Sequence, residues 1–345
     1  RISTIDGRVT FLADEEGVAL SNVFLRYAER VYIEVGRTHA GSFDELFEGV
    51  RAMPWADYIP RDGEFPVNGH SIKSLLHSIP DCQAIVKKAI VRSMGEKYGI
   101  ERFEESGARY RVEFFILNDS ASLMIDTSGL PLHKRGYRKE SNSAPIRETL
   151  AAAIAKTSRP REDVLLWDPM CGSGTIAIEA AMIMNNVAPG KKRAFSAESF
   201  PYVGKRRFDL AREEATDNEV KSAFRAYASD ISNACVSLTE RNARAAGVSD
   251  SIKVMQMDCT AISTGGMRGT IVTNPPYGER LGTLREAEEL YRKIGVHFRS
   301  LAPWQVYIIT SHPSFERFYG KRADKVRKLY NGMIPCYLYQ FFKNK

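Results

Sequence analysis

Cysteine is scarce in this 345-residue chain. The five present (Cys82, Cys171, Cys235, Cys259 and Cys336) are odd in number and form no CxxC pair. That argues against a disulfide framework or a zinc knuckle, and for a reducing, cytoplasmic setting. The six histidines are scattered, with no HxxxH or HxH spacing, so no metal site is expected. No stretch approaches the ~18 apolar residues of a membrane helix. No signal-peptide apolar region opens the chain, and its first residue is Arg rather than Met, which reads as a clipped or processed start. Repeats and low-complexity tracts are also missing.

Charge is plentiful but unevenly spread. Residues 1–130 hold 15 Lys and Arg against 20 Asp and Glu, a net of −5; residues 131–345 hold 34 against 22, a net of +12. A basic half beside an acidic half points to a polyanionic partner, although a merely solvated face would look the same. With 43% hydrophobic residues the chain can fill two cores.

Residues 1–130 read as a small α+β module. GRVTFLA (7–13) and RVYIEVGRT (30–38) have strand character, with helical spacing between them in ALSNVFLRY (19–27). FDELFEGVRAM (43–53) places Phe43, Leu46, Phe47 and Val50 on one face behind a Ser42 cap. The clearest helix is DCQAIVKKAIVRSMGEKYG (81–99), expected to be capped by Asp81 and closed by Gly99. Residues 110–119 and 120–129 read as a hairpin turning at Asn118-Asp119. Residues 131–148 form a polar, basic connector. Residues 149–345 then alternate strands and helices, as an α/β sheet requires. Strands are expected at 164–170, 226–230, 252–258, 269–274 and 305–311. A last pair, near 327–332 and 334–342, is joined too tightly for a helical crossover and must be antiparallel.

Two stretches carry chemistry. LLWDPMCGSGTIAIEAAMI (165–183) is a strand, a glycine turn and a helix. Gly172 and Gly174 let backbone approach a ligand, and the helix starting near Thr175 offers free N–H groups. The glycine spacing also fits a dinucleotide fingerprint, but the acid expected ~20 residues later is misplaced. Three successive strands end in Asp168, Asp230 and Asp258. Ligands of open α/β sheets bind beyond those ends. An acid after the second strand can accept both ribose hydroxyls, and one after the third can accept an adenine amine. A lone strand-end Asp is more often a helix cap; three beside a glycine turn favour a site. The other stretch is TNPPYGERLG (273–282), where two prolines stop a strand between an amide and an aromatic ring.

This combination resembles the S-adenosylmethionine-dependent methyltransferases. DPMCGSG is similar to their first motif, and Asn274-Pro275-Pro276-Tyr277 to the fourth motif of enzymes that methylate planar nitrogens. The resemblance implies that the Asn274 side-chain oxygen and the Pro275 carbonyl accept hydrogen bonds from an exocyclic amine, while Tyr277 stacks on the flipped base. DTSGLPLHKRGYR (126–138), APIRETLAAAI (144–154) and NPPYGERLG occur in the order of the THUMP-containing RNA guanine-N2 methyltransferases, most like the bacterial enzymes acting on large-subunit (23S) ribosomal RNA. The implied fold is a Rossmann-like α/β class I methyltransferase, a seven-stranded sheet with an antiparallel last strand, behind a THUMP/ferredoxin-like module. The chain carries one such domain, whereas some relatives fuse a second behind it, and its front looks short of a first strand and helix. By position, Asp168, Pro169, Cys171, Gly172, Gly174 and Thr175 would surround the methionine part of S-adenosylmethionine. Asp230 would hold the ribose, Ile231 would pack on the adenine, and Asp258 with Cys259 would lie at its edge. Arg147 to Thr149 would cover the amino-acid end. Glu279 and Arg280 follow the fourth motif and would meet the base or its phosphate, unless they are a plain surface pair.

RNA contacts are expected from Lys134, Arg135, Arg138 and Lys139 of the connector, with His133 and Tyr137 as stacking rings. Lys191, Lys192 and Arg193, and Lys205, Arg206 and Arg207, form two further basic clusters above the crevice, or solubilising loops. The acidic front module is a poor phosphate binder apart from a local patch at Lys73, Lys87 and Lys88. Rival readings are an adenine-N6 methyltransferase on nucleic acid, a protein glutamine methyltransferase, a dehydrogenase, and a non-catalytic rRNA-binding assembly protein.

Overall fold

The computed structural model describes residues 2–5, 7–138, 146–278 and 283–342. Lys139, Glu279 and Arg280 lie outside the described residues. The chain forms two compact units. One contains Arg1–Leu25, Glu29–Leu132 and Ala194–Glu213; the other contains Arg26–Ala28, His133–Arg193 and Glu214–Lys345.

The first unit opens with a two-stranded hairpin, β1 (Ile2–Ile5) and β2 (Arg8–Phe11), followed by α1 (Glu15–Phe24). Then come β3 (Tyr32–His39), α2 (Phe43–Arg51), α3 (Trp55–Tyr58), β4 (Val67–Ile72), α4 (Ile79–Tyr98), β5 (Val112–Leu117) and β6 (Ser120–Asp126). The sheet order is β3-β6-β5-β4, with β4 parallel to β5 and the other pairs antiparallel. The β5–β6 hairpin turns at Asn118 and Asp119, both at positive φ, the geometry a two-residue loop needs. Ser42 caps α2 through a reciprocal capping box with Glu45.

Two sequence expectations need correction here. Helix α4 begins at Ile79 with Ser78 as N-cap residue, so Asp81 sits inside the first turn, where its charge faces the positive helix end. Strand β4 was not expected, because Asn68, Gly69, His70 and Ser71 have little strand propensity. Its place is set by pairing: a Cβ at Gly69 would lie 2.5 Å from the Phe114 ring and backbone.

In the second unit α5 (Glu148–Thr157) precedes β7 (Leu165–Asp168) and α6 (Thr175–Met184). Helix α7 (Lys205–Asp217), most of which belongs to the first unit, follows in the chain, then β8 (Ala226–Asp230), α8 (Asn233–Ala246), β9 (Ile252–Gln256) and β10 (Gly269–Thr273) of the second unit. The chain ends with α9 (Leu284–Ser300), β11 (Gln305–Thr310), α10 (Phe315–Tyr319), β12 (Lys325–Asn331) and β13 (Ile334–Phe341). The seven strands lie in the order β12-β13-β11-β10-β7-β8-β9. β13 is antiparallel to both its neighbours and every other pair is parallel. Side chains alternate between two cores, as strand geometry dictates. Leu166, Val272, Tyr307 and Ile309 pack with Leu150, Ile154, Ile176 and Ala243 on one face. Trp167, Ile271, Val306 and Ile308 pack with Tyr291, Ile294, Phe298 and Phe315 on the other. Burying each large apolar side chain contributes about 1.5–3 kcal/mol. The chain runs outward from β7 to β9, then returns to β10 beside β7. That reversal is the point where open α/β sheets bind ligands.

Candidate active site

A cavity of about 900 Å³ opens at the reversal point, lined by residues of the second unit alone. Its floor is the end of β7. Asp168 is 2% exposed and accepts a hydrogen bond of 2.8 Å from the Thr273 hydroxyl at the end of β10. Burial pushes its carboxyl up to about 7, despite the Thr273 and Met170 hydrogen bonds that pull the other way. The glycine turn follows. Gly172 and Gly174 both have positive φ, and a Cβ at Gly174 would stand 2.5 Å from Thr239 Cγ2 of α8. Gly174 starts α6 and lets it pack closely; it does not line the cavity, whereas Pro169, Cys171, Gly172 and Thr175 do.

The second wall comes from the ends of β8 and β9. Asp230 accepts N–H bonds from Gly172 and Ser232, each 3.0 Å, so its carboxylate is oriented by both of its oxygens. Each oxygen keeps a second lone pair for another donor. β9 ends two residues before Asp258, which caps the short 3-10 turn at Cys259–Ala261 and also lines the cavity. The hydroxyl and N–H of Thr260 hold the Asp258 carboxyl below its ordinary value, with Lys293 adding to the effect. Ile231 and Cys259 are cavity residues too. Burial pushes the Cys259 thiol up to about 11 and Cys171 well above its ordinary value, so neither supplies a thiolate at neutral pH.

The third wall is the Asn274–Tyr277 turn after β10. The Tyr277 hydroxyl donates to Asn274 Oδ1, which retains a second lone pair. The Pro276 carbonyl accepts a 2.8 Å hydrogen bond from Tyr291, a fully buried side chain of α9 whose hydroxyl also meets Thr310 Oγ1 at 3.0 Å. No described group donates to the Pro275 carbonyl. Helix α9 and the end of β11 therefore brace the turn, of which Asn274, Pro275, Pro276 and Tyr277 line the cavity.

Sequence reasoning missed several cavity residues. Ser232 and Cys235 follow Asp230; Leu290 and Lys293 come from α9; Asn331 and Ile334 come from the β12–β13 turn. The Asn331-Gly332 turn signal was readable, but nothing in the sequence said that it would reach this crevice. Arg147 and Thr149 are not among the lining residues, although Ile146 is. Arg147 instead donates its N–H to Asn331 Oδ1 and thereby ties α5 to that turn.

The basic connector also needs correction. Arg135 is 3% exposed and pairs with the buried Glu179 of α6 at 3.4 Å. Tyr137, buried as well, donates to the same carboxylate. Arg138 pairs with Glu148 at 3.0 Å and donates to the Ile146 carbonyl and Thr175 Oγ1. A carboxylate on the inner face of α6 needs counter-charges, and the connector supplies them. These side chains are held by carboxylates within their own unit. Lys134 remains exposed. Lys191 pairs with Glu219, Lys192 donates to the Ala245 carbonyl, and Arg193 donates to the Lys134 carbonyl. Lys205, Arg206 and Arg207 open α7 within the first unit and are exposed, Lys205 being paired with Asp209. Lys87, of the front-module patch, is occupied by Glu105 and the Phe65 carbonyl.

The residues present fit S-adenosylmethionine. A buried carboxylate faces a cavity large enough for a nucleoside with an amino-acid tail, beside a glycine turn at a helix start. Asp230 offers fixed acceptors for a diol. Comparisons with known proteins agree. The RMKL-like methyltransferase domain family matches residues 135–340, and the THUMP domain family matches residues 40–126. YpsC of Bacillus subtilis (strain 168), named as a candidate RNA methyltransferase, is 44% identical over 98% of this chain and 88% of its own length. A ribosomal RNA large subunit methyltransferase K/L of Psychromonas ingrahamii is 33% identical over 91% of this chain, which spans only 43% of that protein. Among solved structures, SMU.472, named as a methyltransferase and complexed with SAH, covers 100% of the chain and 92% of its own at 40% identity and TM-score 0.90. A Listeria monocytogenes structure, named as an N6-adenine-specific DNA methylase, covers 99% of the chain and 90% of its own at 44% identity and TM-score 0.92. The chain belongs to the RMKL-like methyltransferase family: a THUMP domain followed by an S-adenosylmethionine-dependent methyltransferase domain.

Proposed function

We propose that the protein methylates the exocyclic N2 amine of a guanine in RNA, with large-subunit (23S) ribosomal RNA as the substrate class. The observation that carries this reading is the Asn274–Tyr277 turn, which shares one cavity with the glycine turn and Asp230. The names of the K/L relatives and of YpsC support RNA, and the THUMP match supports it again.

When bound, S-adenosylmethionine supplies an electrophilic methyl group on a sulfonium. Asp230 orients the ribose end and Asp168 sets a carboxylate near the cationic end. Asn274 Oδ1 and the Pro275 carbonyl accept the two N–H bonds of the amine and aim its lone pair at the methyl group. Tyr277 covers the base. The N–C bond would form as the methyl–sulfur bond breaks, with that electron pair staying on sulfur, and the nitrogen's surplus proton would leave to solvent, so no strong base is required. Proximity and orientation do most of the work.

A second reading, adenine-N6 methylation of nucleic acid, is favoured by the name of the Listeria structure and uses the same turn. Both bases present a planar amine. Incubating the protein with rRNA, S-adenosylmethionine and, separately, duplex DNA, then digesting to nucleosides, decides between them. N2-methylguanosine is expected from rRNA. N6-methyladenine from either substrate, with no methylguanosine, overturns the proposal.

A further inference from the structure

The outer strand of the seven-stranded sheet, β12, carries the sequence KRADKVRKLY (321–330) with its lead-in. Arg322, Lys325, Arg327 and Lys328 are exposed, and no described carboxylate pairs with any of them. The one acid among them, Asp324, accepts the Phe342 N–H instead. Elsewhere in the unit some basic side chains, Arg135, Arg138, Lys191 and Arg268 among them, are held by carboxylates, and others such as Lys156 and Arg244 are exposed as those of β12 are. Because β13 is antiparallel to both β11 and β12, β12 points the same way as β10 and β7. Its end therefore reaches the crevice, and Asn331 and Ile334 line the cavity. The six steps of ~3.3 Å from Lys325 to Asn331 cover about 20 Å toward the site, with Lys325 and Arg327 on one face of this edge strand and Lys328 and Tyr330 on the other.

Charged residues on an edge strand commonly serve only to block pairing with other chains. That account covers the lysines but not what stands beside them. Tyr330 is 57% exposed, Met333 at the hairpin tip is 94% exposed, and Val326 is also exposed. Apolar groups there would defeat a purely protective edge. The Lys328 ammonium lies 5.5 Å from the Tyr330 ring and bonds to its hydroxyl, so a charge and a ring stand together on one face of the strand, as a base with its phosphate requires.

Building on the RNA reading above, we propose that the β12–β13 hairpin holds the single-stranded RNA segment flanking the target nucleotide. Lys328 contacts a phosphate and Tyr330 stacks on a neighbouring base from one face of this edge strand at the cavity mouth, and Lys325 and Arg327 contact the phosphate backbone from the other. A target base must leave its stack to be methylated, so the segment beside it is held unpaired.

Fluorescence anisotropy with the whole chain and a labelled single-stranded oligoribonucleotide tests this, with the same sequence as a duplex in parallel. Arg327→Ala with Lys328→Ala weakens single-strand binding and flattens its salt dependence by roughly one unit of slope per lost contact. Tyr330→Ala weakens binding by about tenfold, and Tyr330→Phe restores it. Titration calorimetry with S-adenosylmethionine gives unchanged affinity in all three, which shows that they are folded. If the wild type binds RNA and the variants match it in affinity and slope, the hairpin proposal falls while the RNA reading stands. If the wild type binds no RNA at low salt, both fall. Variants that lose duplex binding but keep single-strand binding overturn the assignment of an unpaired segment.

Discussion

The two turns that leave β7 and β10 sit side by side at the same edge of one sheet, yet they are built on opposite principles. The turn after β7 uses glycine: positive φ at Gly172 and Gly174, backbone locked by Asp230, and a helix start packed against Thr239. The turn after β10 uses proline: fixed φ at Pro275 and Pro276, an amide held by Tyr277, and a carbonyl anchored by Tyr291. One must let backbone come close to a cofactor. The other, on the function proposed above, holds two acceptors still for an amine. The contrast teaches that binding and rate are separable here, and each turn can be broken alone.

The largest expected effect is on rate. Asn274→Ala leaves folding, cofactor affinity and RNA affinity intact and lowers single-turnover methyl transfer by about 10²–10³, since the lost contact strengthens as the nitrogen gains charge. Turnover within a few-fold of wild type would make this turn scaffold. Next is Asp230→Ala, which costs about 1.5–3 kcal/mol of cofactor affinity in titration calorimetry while RNA affinity holds. An unchanged affinity would remove Asp230 from the ribose site.

A pH effect of up to tenfold per unit follows from Asp168. Its carboxyl is raised to about 7, so below that pH it is neutral. A cationic ligand prefers the ionised form, so affinity should rise with pH through about 7 and level off above it. Asp168→Asn should bind more weakly and lose that step. In the absence of ligand the sign is reversed. Between the ordinary carboxyl value and about 7 the folded chain holds a proton that the unfolded chain has lost, so this group's contribution to stability falls as pH rises.

The smallest effect sharpens the proline side. Tyr291→Phe removes the buried donor to the Pro276 carbonyl and should lower turnover by about three- to tenfold, with KM for RNA and cofactor affinity unmoved. If KM rises instead and turnover holds, Tyr291 supports RNA binding and not the amine.

Much of this was legible in the chain. Glycine and proline are local statements about φ, so both turns could be read where they stand. The acid at the end of β8 and the antiparallel closing pair followed from strand length and connection length. Burial was not legible. Arg135 and Arg138 look like any basic connector until Glu179 and Glu148 are found beneath them, and that pairing spans 44 residues in one case. A charged side chain does not say whether it faces water or a buried counter-charge. Likewise β4, poor in strand formers, exists because β5 offers it a ladder.

The sequence by itself determined the alternation of strands and helices behind the connector, the two turns and the acids that flank them, because each rests on the conformational limits of a few neighbouring residues. Only the tertiary structure decided that Tyr291 braces the proline turn and that Asn331 and Ile334 close the cavity. It also decided that Arg135 and Arg138 of the connector are held by Glu179 and Glu148 while the basic side chains of β12 stand exposed. Those outcomes depend on strand order, which brings residues far apart in the chain to one edge of one sheet.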